Sequence, residues 1–171
     1  MPQNGPVIST DLRQVDYHDI DAQLLIDEVQ QEYVVRYGGP DGTPVDRDEF
    51  SPPNGHFIIL YEADRPVAMG GWRFSEDTRV ALGYPERVVE LKRMYVIPES
   101  RGRGHARTVL AHLEQTAAAA GAGRMVLETG GAQPEAVALY RSCGYADVPA
   151  FGHYADSPDS IHLGKRLIPA G

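Results

Sequence analysis

Residues 90–106, ELKRMYVIPESRGRGHA, constrain the fold more than any other stretch: an apolar strand, a proline turn, and a glycine-rich loop that opens directly into a helix. That order is what phosphate capture requires. A helix N-terminus leaves backbone N–H groups unpaired and carries the positive end of the helix dipole, so a loop curled above it can cradle a pyrophosphate. Gly102 and Gly104 let the backbone approach a ligand, because neither carries a Cβ. Arg101, Arg103, Arg107 and Lys92 add positive charge to the same stretch. A plain strand-to-helix connection can have this composition too, so the stretch alone leaves function open.

Spacing separates the phosphate-loop families. A Walker loop ends in Gly-Lys-Ser/Thr, which the chain lacks. A dinucleotide fingerprint needs a third small residue where Arg107 stands, and arginine there crowds the helix–strand contact. What remains is R-x-x-G-x-A, carried by Arg101, Gly104 and Ala106 after a strand ending in Val96 and a proline at Pro98. This resembles the acetyl-CoA loop of the GNAT superfamily of N-acetyltransferases, Q/R-x-x-G-x-G/A. Residues 133–145, QPEAVALYRSCGY, are similar to the second GNAT signature, N-x-x-A-x-x-L-Y-x-x-x-G-F/Y, with Gln133 in place of the usual Asn.

The resemblance implies an α/β (α+β) GNAT-like fold: one mixed, mostly antiparallel sheet of about six to seven strands, helices on both faces, and a splay at the strand ending near Val96. It implies acetyl transfer from acetyl-CoA, the cosubstrate, to the primary amine of a small molecule, amino-acid-like or another metabolite amine. A protein or peptide N-acetyltransferase, a non-catalytic acyl-CoA-binding regulatory module, and a dinucleotide-binding enzyme are the alternatives. The cofactor residues it implies are Met94, Val96, Arg101, Gly102, Arg103, Gly104, His105, Ala106, Gln133, Ala136 and Tyr140. Glu90, eleven residues before Arg101, falls where the histone-acetyltransferase branch carries its general base, and Tyr140 where a tyrosine lies close to the cofactor sulfur. A pair between Glu90 and Lys92 on one strand face is the structural alternative. The implied partners are acetyl-CoA and a small amine, with neither nucleic acid nor membrane; a homodimer is compatible with them.

In chain order, residues 7–12 read as an opening strand, and Asp19 or Asp21 caps a helix running to about Tyr37. Leu25, Val29 and Tyr33 mark its apolar face. In the GNAT pattern this helix borders the acceptor site, which makes Tyr33, Arg36 and Tyr37 substrate candidates. Residues 38–55, dense in Gly, Pro and Asp, form a long loop of the kind that serves as a lid or binding loop. Residues 56–62 and 67–74 read as a hairpin; Trp72 and Arg73 in its second strand either line a pocket or pack on a helix. Residues 75–87 read as a loop, 104–120 as a helix, and 125–129 as a buried strand parallel to the one before it. A helix from Pro134 to Gly144 and closing strands at 151–154 and 160–167 complete the chain as one domain, 1–171.

At 171 residues with one cysteine, Cys143, the chain needs no disulfide framework and fits a reducing compartment. The N-terminus has neither a basic region nor an apolar core, and no apolar run is long enough to span a bilayer, which reads as cytoplasmic. The net charge of −8 argues against wholesale binding to nucleic acid or anionic membrane. Residues 11–65 hold thirteen acidic and four basic side chains, whereas 92–107 hold five basic ones against Glu99 alone. That polarity suits a polyanionic cofactor at one end and a cationic substrate at the other, or simply a solvated acidic surface. The six histidines suggest no metal site, since His105 and His112 are too far apart on their helix to share an ion.

Overall fold

The computed structural model describes residues 7–46 and 48–168. Its strands are β1 (Thr10–Gln14), β2 (Gly55–Glu62), β3 (Arg65–Phe74), β4 (Val88–Val96), β5 (Arg124–Gly130), β6 (Ala146–Asp147) and β7 (Ser160–Arg166). Its α-helices are α1 (Ile20–Tyr37), α2 (Glu76–Leu82), α3 (His105–Ala119) and α4 (Pro134–Ser142). The strands form one sheet in the order β1-β2-β3-β4-β5-β7-β6. Only β4 and β5 pair in parallel, because α3 joins them as a crossover; the other neighbours run antiparallel.

Local chemistry sets the boundaries. Asp19 caps α1 by accepting from the Asp21 N–H at 2.9 Å, and Gly38 ends the helix in the left-handed region at φ 79°. Ala22, Leu25, Ile26 and Val29 bury its inner face. Ala63 and Asp64, at φ 46° and 66°, turn β2 back into β3. Successive strand residues face opposite sides of the sheet, which places the helices on both. Met94 packs with Gly70 toward α3, whereas the next residue, Tyr95, points the other way, and its hydroxyl donates to Glu28 of α1 at 3.4 Å.

Three expectations are corrected. The opening strand lies at Thr10–Gln14 rather than 7–12. The stretch 75–87 contains α2, which Ser75 caps and Gly83 ends; Thr78 is its one buried residue, so it carries no apolar periodicity to read. Residues 151–154 form a turn, from which Phe151 plugs into a small cluster with Val88 and Val126. The short β6 pairs with β7 instead.

The sheet opens where the chemistry is expected. Pairing between β4 and β5 covers only Val88–Glu90 against Arg124–Val126, while β5 stays paired with β7 along its whole length. A bulge in β4 lies just beyond that last pair. Met69 faces Tyr95 and Gly71 faces Lys92, so Gly70 alone faces both Arg93 and Met94. A Cβ on Gly70 would lie 2.7 Å from the Met94 sulfur and 2.9 Å from Leu113, so any larger residue there would make those side chains shift. Arg93 takes the extra place at φ 60°, a conformation costly for a side-chain-bearing residue, and a bulge of this kind bends its strand and sharpens the twist. Beyond Glu90, β4 therefore leaves β5.

Candidate active site

The phosphate-binding geometry rests on backbone. After a 3₁₀ turn at Pro98–Ser100, Gly102 and Gly104 adopt φ 78° and 82°, and Gly104 opens α3 with no side chain capping its N–H groups. A Cβ at either glycine would meet nothing within 4 Å, so positive φ, not crowding, calls for glycine here. The space above the helix start is open. The neighbouring arginines already have partners. Arg101 grips both oxygens of Glu32 at 3.0 Å and donates to the Val96 carbonyl at 2.9 Å. Arg103 pairs with Glu62, which His105 also contacts; His105 first and Arg103 second hold the Glu62 carboxyl below its ordinary range. Arg107 reaches Ser142 at 2.8 Å and Cys143 at 3.3 Å.

The splay forms a cleft of about 380 Å³ between β4 and β5, closed by α1, α4 and the segments 39–41 and 154–160. Met94, Gln133, Ala136, Tyr140 and Tyr33 line it together. Tyr140 is buried, and burial pushes its phenol well above the ordinary range, so it stays protonated at neutral pH. Burial likewise raises Tyr33, against the opposing pull of Arg93. The Gln133 amide donates to the Tyr37 hydroxyl at 3.0 Å, which ties the start of α4 to the end of α1 along the cleft wall.

A second cleft of about 210 Å³ adjoins the first and shares Lys92, Glu128 and Tyr154 with it. Glu49, Asp77, Glu90 and Glu128 face two cations there, Arg73 and Lys92. Asp41 ties the partition together. It pairs with Arg93 and with Lys92 at 3.2 Å, accepts from Thr43 at 2.7 and 2.9 Å, and accepts from the Tyr154 hydroxyl at 2.9 Å. Burial alone would raise its carboxyl; Lys92, Arg93 and the Thr43 hydrogen bonds outweigh that and hold it well below the usual carboxylate range. The loop at 38–46 is thereby fastened over the opening between α1 and β4. Glu128 has a different environment: burial raises its carboxyl, opposed chiefly by the Ser160 hydroxyl donating at 2.9 Å.

The remaining sequence candidates fall elsewhere. Trp72 is buried against α3, its indole N–H donating to Thr116 at 3.0 Å, and it lines neither cleft. Arg36 donates to the Ala132 carbonyl and pairs with Glu135 at 2.8 Å, outside both clefts. Arg73 does line the second cleft, but Glu49 and Glu90 already hold its guanidinium. Glu90 sits beside it, its two oxygens 3.5 Å from Arg73 and 4.0 Å from Lys92. Lys92 belongs to this charged floor rather than to the glycine loop. Asp41, Arg93, Glu128 and Tyr154 were missed. Two had a signal: Glu128 is a lone charge in the apolar run MVLETG, and the adjacent cations Lys92-Arg93 break the strand alternation where the bulge falls.

Known proteins share this architecture. A Klebsiella pneumoniae structure, described as a candidate acyl-CoA N-acyltransferase, superposes with a TM-score of 0.73 at 25% identity, over 93% of this chain and 98% of its own. The PaiA N-acetyltransferase of Thermoplasma acidophilum, solved with coenzyme A, superposes with a TM-score of 0.66 at 14% identity, over 93% and 99%. By sequence, a protein of Azospirillum brasilense named IAA acetyltransferase is 32% identical over 143 residues, 84% of this chain and 88% of that protein. The acetyltransferase (GNAT) family profile matches residues 23–145, and the chain belongs to that family of acetyltransferases.

Proposed function

We propose that the protein transfers the acetyl group of acetyl-CoA directly to the primary amine of a small molecule, amino-acid-like or another metabolite amine. The observation that carries this is the junction of the two clefts: an opening between β4 and β5 meets a chamber where four carboxylates face two cations. An acid-rich chamber favours an ammonium. Arg36 and Arg73 are both engaged already, so an acceptor carboxylate would have to displace Glu135, or Glu49 and Glu90, to be held there.

The uncapped start of α3 and the open space at Gly102 and Gly104 fit a pyrophosphate, and the unpaired edge of β4 around Met94 and Val96 fits an extended pantetheine amide. Acetyl-CoA supplies the thioester. The chain supplies alignment, proton acceptance and proton donation. An alkylamine of pKa about 10.4 is neutral at pH 7 to only about one part in 2,500, so its proton must be taken before nitrogen attacks. A carboxylate at the junction takes it, and backbone N–H at the bulge steadies the oxyanion. Tyr140, which lines the first cleft, gives its proton to the thiolate as carbon and sulfur separate.

The test mixes protein and acetyl-CoA with a thiol reagent and a panel of primary amines. Free CoA should appear faster with amine than without, and Tyr140→Phe should lower kcat roughly a hundredfold with acetyl-CoA affinity little changed. Release of CoA that no amine accelerates would overturn the proposal.

A further inference from the structure

We infer that His56 and His112, packed together beneath α3, form an acid switch: protonating the pair loosens α3 from the sheet and weakens acetyl-CoA binding at the helix start. This rests on the acetyl-CoA site of the reading above and not on its acceptor. Packing places the pair at the seam that seats α3. Val109, Leu110, Leu113 and Ala117 bury the inner face of the helix against β2 and β3. At the same seam the His56 ring centroid lies 6.0 Å from that of Trp72, nearly parallel at 17°, and 5.9 Å from that of His112 on α3. Trp72 is itself tied to α3 through its indole N–H and Thr116. The Nε2 of His56 is shut off from solvent and has no partner among the described residues.

As neutral rings the two histidines pack as aromatic surface. An imidazolium carries hydrogen on both nitrogens, so a charged His56 aims an N–H into a dry gap with nothing to accept it. The Trp72 face attracts one cation, but a second charge on His112 repels it. Among the described residues no carboxylate offsets the charge on His56. On α3, Glu114 turns to Lys165 and Tyr145, and His105 to Glu62. From β2 and β1 the side chains on this face are Ile58 and Gln14, and from β4 Leu91 lies behind Trp72. Arg73 points to the other face, and Arg87, stacked on Phe74 beyond Trp72, is a further cation. Burial first and His112 second accordingly move His56 below its ordinary value. A ring so lowered stabilises the seam fully above its unfolded value near 6.5, and that contribution is lost as pH falls toward the folded value.

The helix carries this to the cofactor. His112 lies about two turns after Gly104, on the helix whose uncapped N–H groups face the pyrophosphate. Lifting α3 from Gly70, which Leu113 and Val109 approach closely, tilts those N–H groups away from the ligand. Linkage makes the effect reciprocal: bound acetyl-CoA favours neutral rings by the factor that protonation weakens its binding.

Trp72 is the sole tryptophan, so its fluorescence reads the seam directly. Emission is followed from pH 8 to 5, with and without acetyl-CoA, for wild type, His56→Gln and His112→Gln. Calorimetry gives acetyl-CoA affinity at pH 7.5 and 5.5. Wild-type emission should change with a midpoint below 6.5, which acetyl-CoA moves lower still. In His112→Gln the midpoint should rise toward 6.5 because the like charge is gone, and in His56→Gln the transition should vanish. Between the two pH values affinity should fall about tenfold more in wild type than in His56→Gln. Protonation elsewhere, on the ligand's phosphates or at His162 on the opposite face, is common to all three proteins and cancels. Should His56→Gln fail to fold, an unmoved midpoint in His112→Gln overturns the switch. Flat wild-type emission, or an affinity that falls equally in wild type and His56→Gln, overturns it while acetyl-CoA binding stands. Absence of acetyl-CoA binding at pH 7.5 sinks the switch and the proposed function together.

Discussion

The two charged regions of this molecule are built on opposite plans. At the start of α3 the backbone faces the open space, and the arginines around it are held to one side, Arg101 by Glu32 on a solvent-facing pair and the exposed Arg103 by the half-hidden Glu62. On the floor of the splay the side chains face the space: Asp41, Lys92, Arg93, Glu90 and Arg73 interlock with little water around them. A site made from helix N–H groups needs only the right dihedral angles. A site made from buried charges needs every charge matched, so removing one partner strands another. Substitutions should therefore cost affinity at the loop and stability at the floor.

The sharpest test of that contrast is Asp41→Ala. It leaves Arg93, whose side chain is 4% exposed, without its counter-charge, and Lys92, 8% exposed, with only Glu90 at 4.0 Å. Stranding a buried pair member typically costs about 3–5 kcal/mol. Denaturant unfolding should show a loss of that order, with the 38–46 loop detached from Tyr154. The pH dependence has a definite sign. A carboxyl lowered in the folded state stabilises fully above its unfolded value near 3.8, and that stability drains away as pH falls toward the folded value. Wild type should thus weaken below about pH 4 more steeply than Asp41→Asn. Equal stability of Asp41→Ala and wild type would break the comparison.

Legibility in the sequence follows the same divide. The loop could be read because its requirements are local: Gly102 and Gly104 at fixed offsets, a proline before them and an apolar helix face after. The crossover and the parallel β4–β5 pair followed from connectivity alone. The floor draws its parts from residues 41, 73, 90–93, 128 and 154, and nothing in linear spacing brings them together. Arg73 is the instructive case. It does face a cleft, but its availability depends on Glu49 in a loop without periodicity. Trp72 failed as a site residue for a simpler reason: strand alternation turns it to the α3 side, opposite Arg73.

A medium effect is expected at Gly104, whose φ of 82° proline cannot adopt. Gly104→Pro also deletes one N–H, and hydrogen bonds to charged groups contribute about 1.5–3 kcal/mol. Acetyl-CoA affinity should fall roughly ten- to hundredfold by calorimetry, with the denaturation midpoint moving far less than in Asp41→Ala. A folded Gly104→Pro variant of unchanged affinity would remove the loop from the site. A variant that loses stability as Asp41→Ala does would erase the distinction between the regions.

The smallest effect carries the most information about sign. Glu32 holds the Arg101 fork through two contacts of 3.0 Å, with side chains 31% and 43% exposed. Such surface pairs contribute about 0.2–1 kcal/mol, so Glu32→Ala should barely alter stability. Arg101 would keep its bond to the Val96 carbonyl while its freed guanidinium turns toward the pyrophosphate. Acetyl-CoA should then bind roughly 1.4- to fivefold more tightly. The gain should shrink with salt, since the screening length falls from about 10 Å at 0.1 M to about 3 Å at 1 M. Removing a carboxylate thus improves binding at the loop, whereas removing Asp41 from the floor destabilises the fold. Weaker binding by Glu32→Ala at low salt would mean that Glu32 positions Arg101 for the ligand instead of withholding it, and that side chains share the loop's work with the backbone.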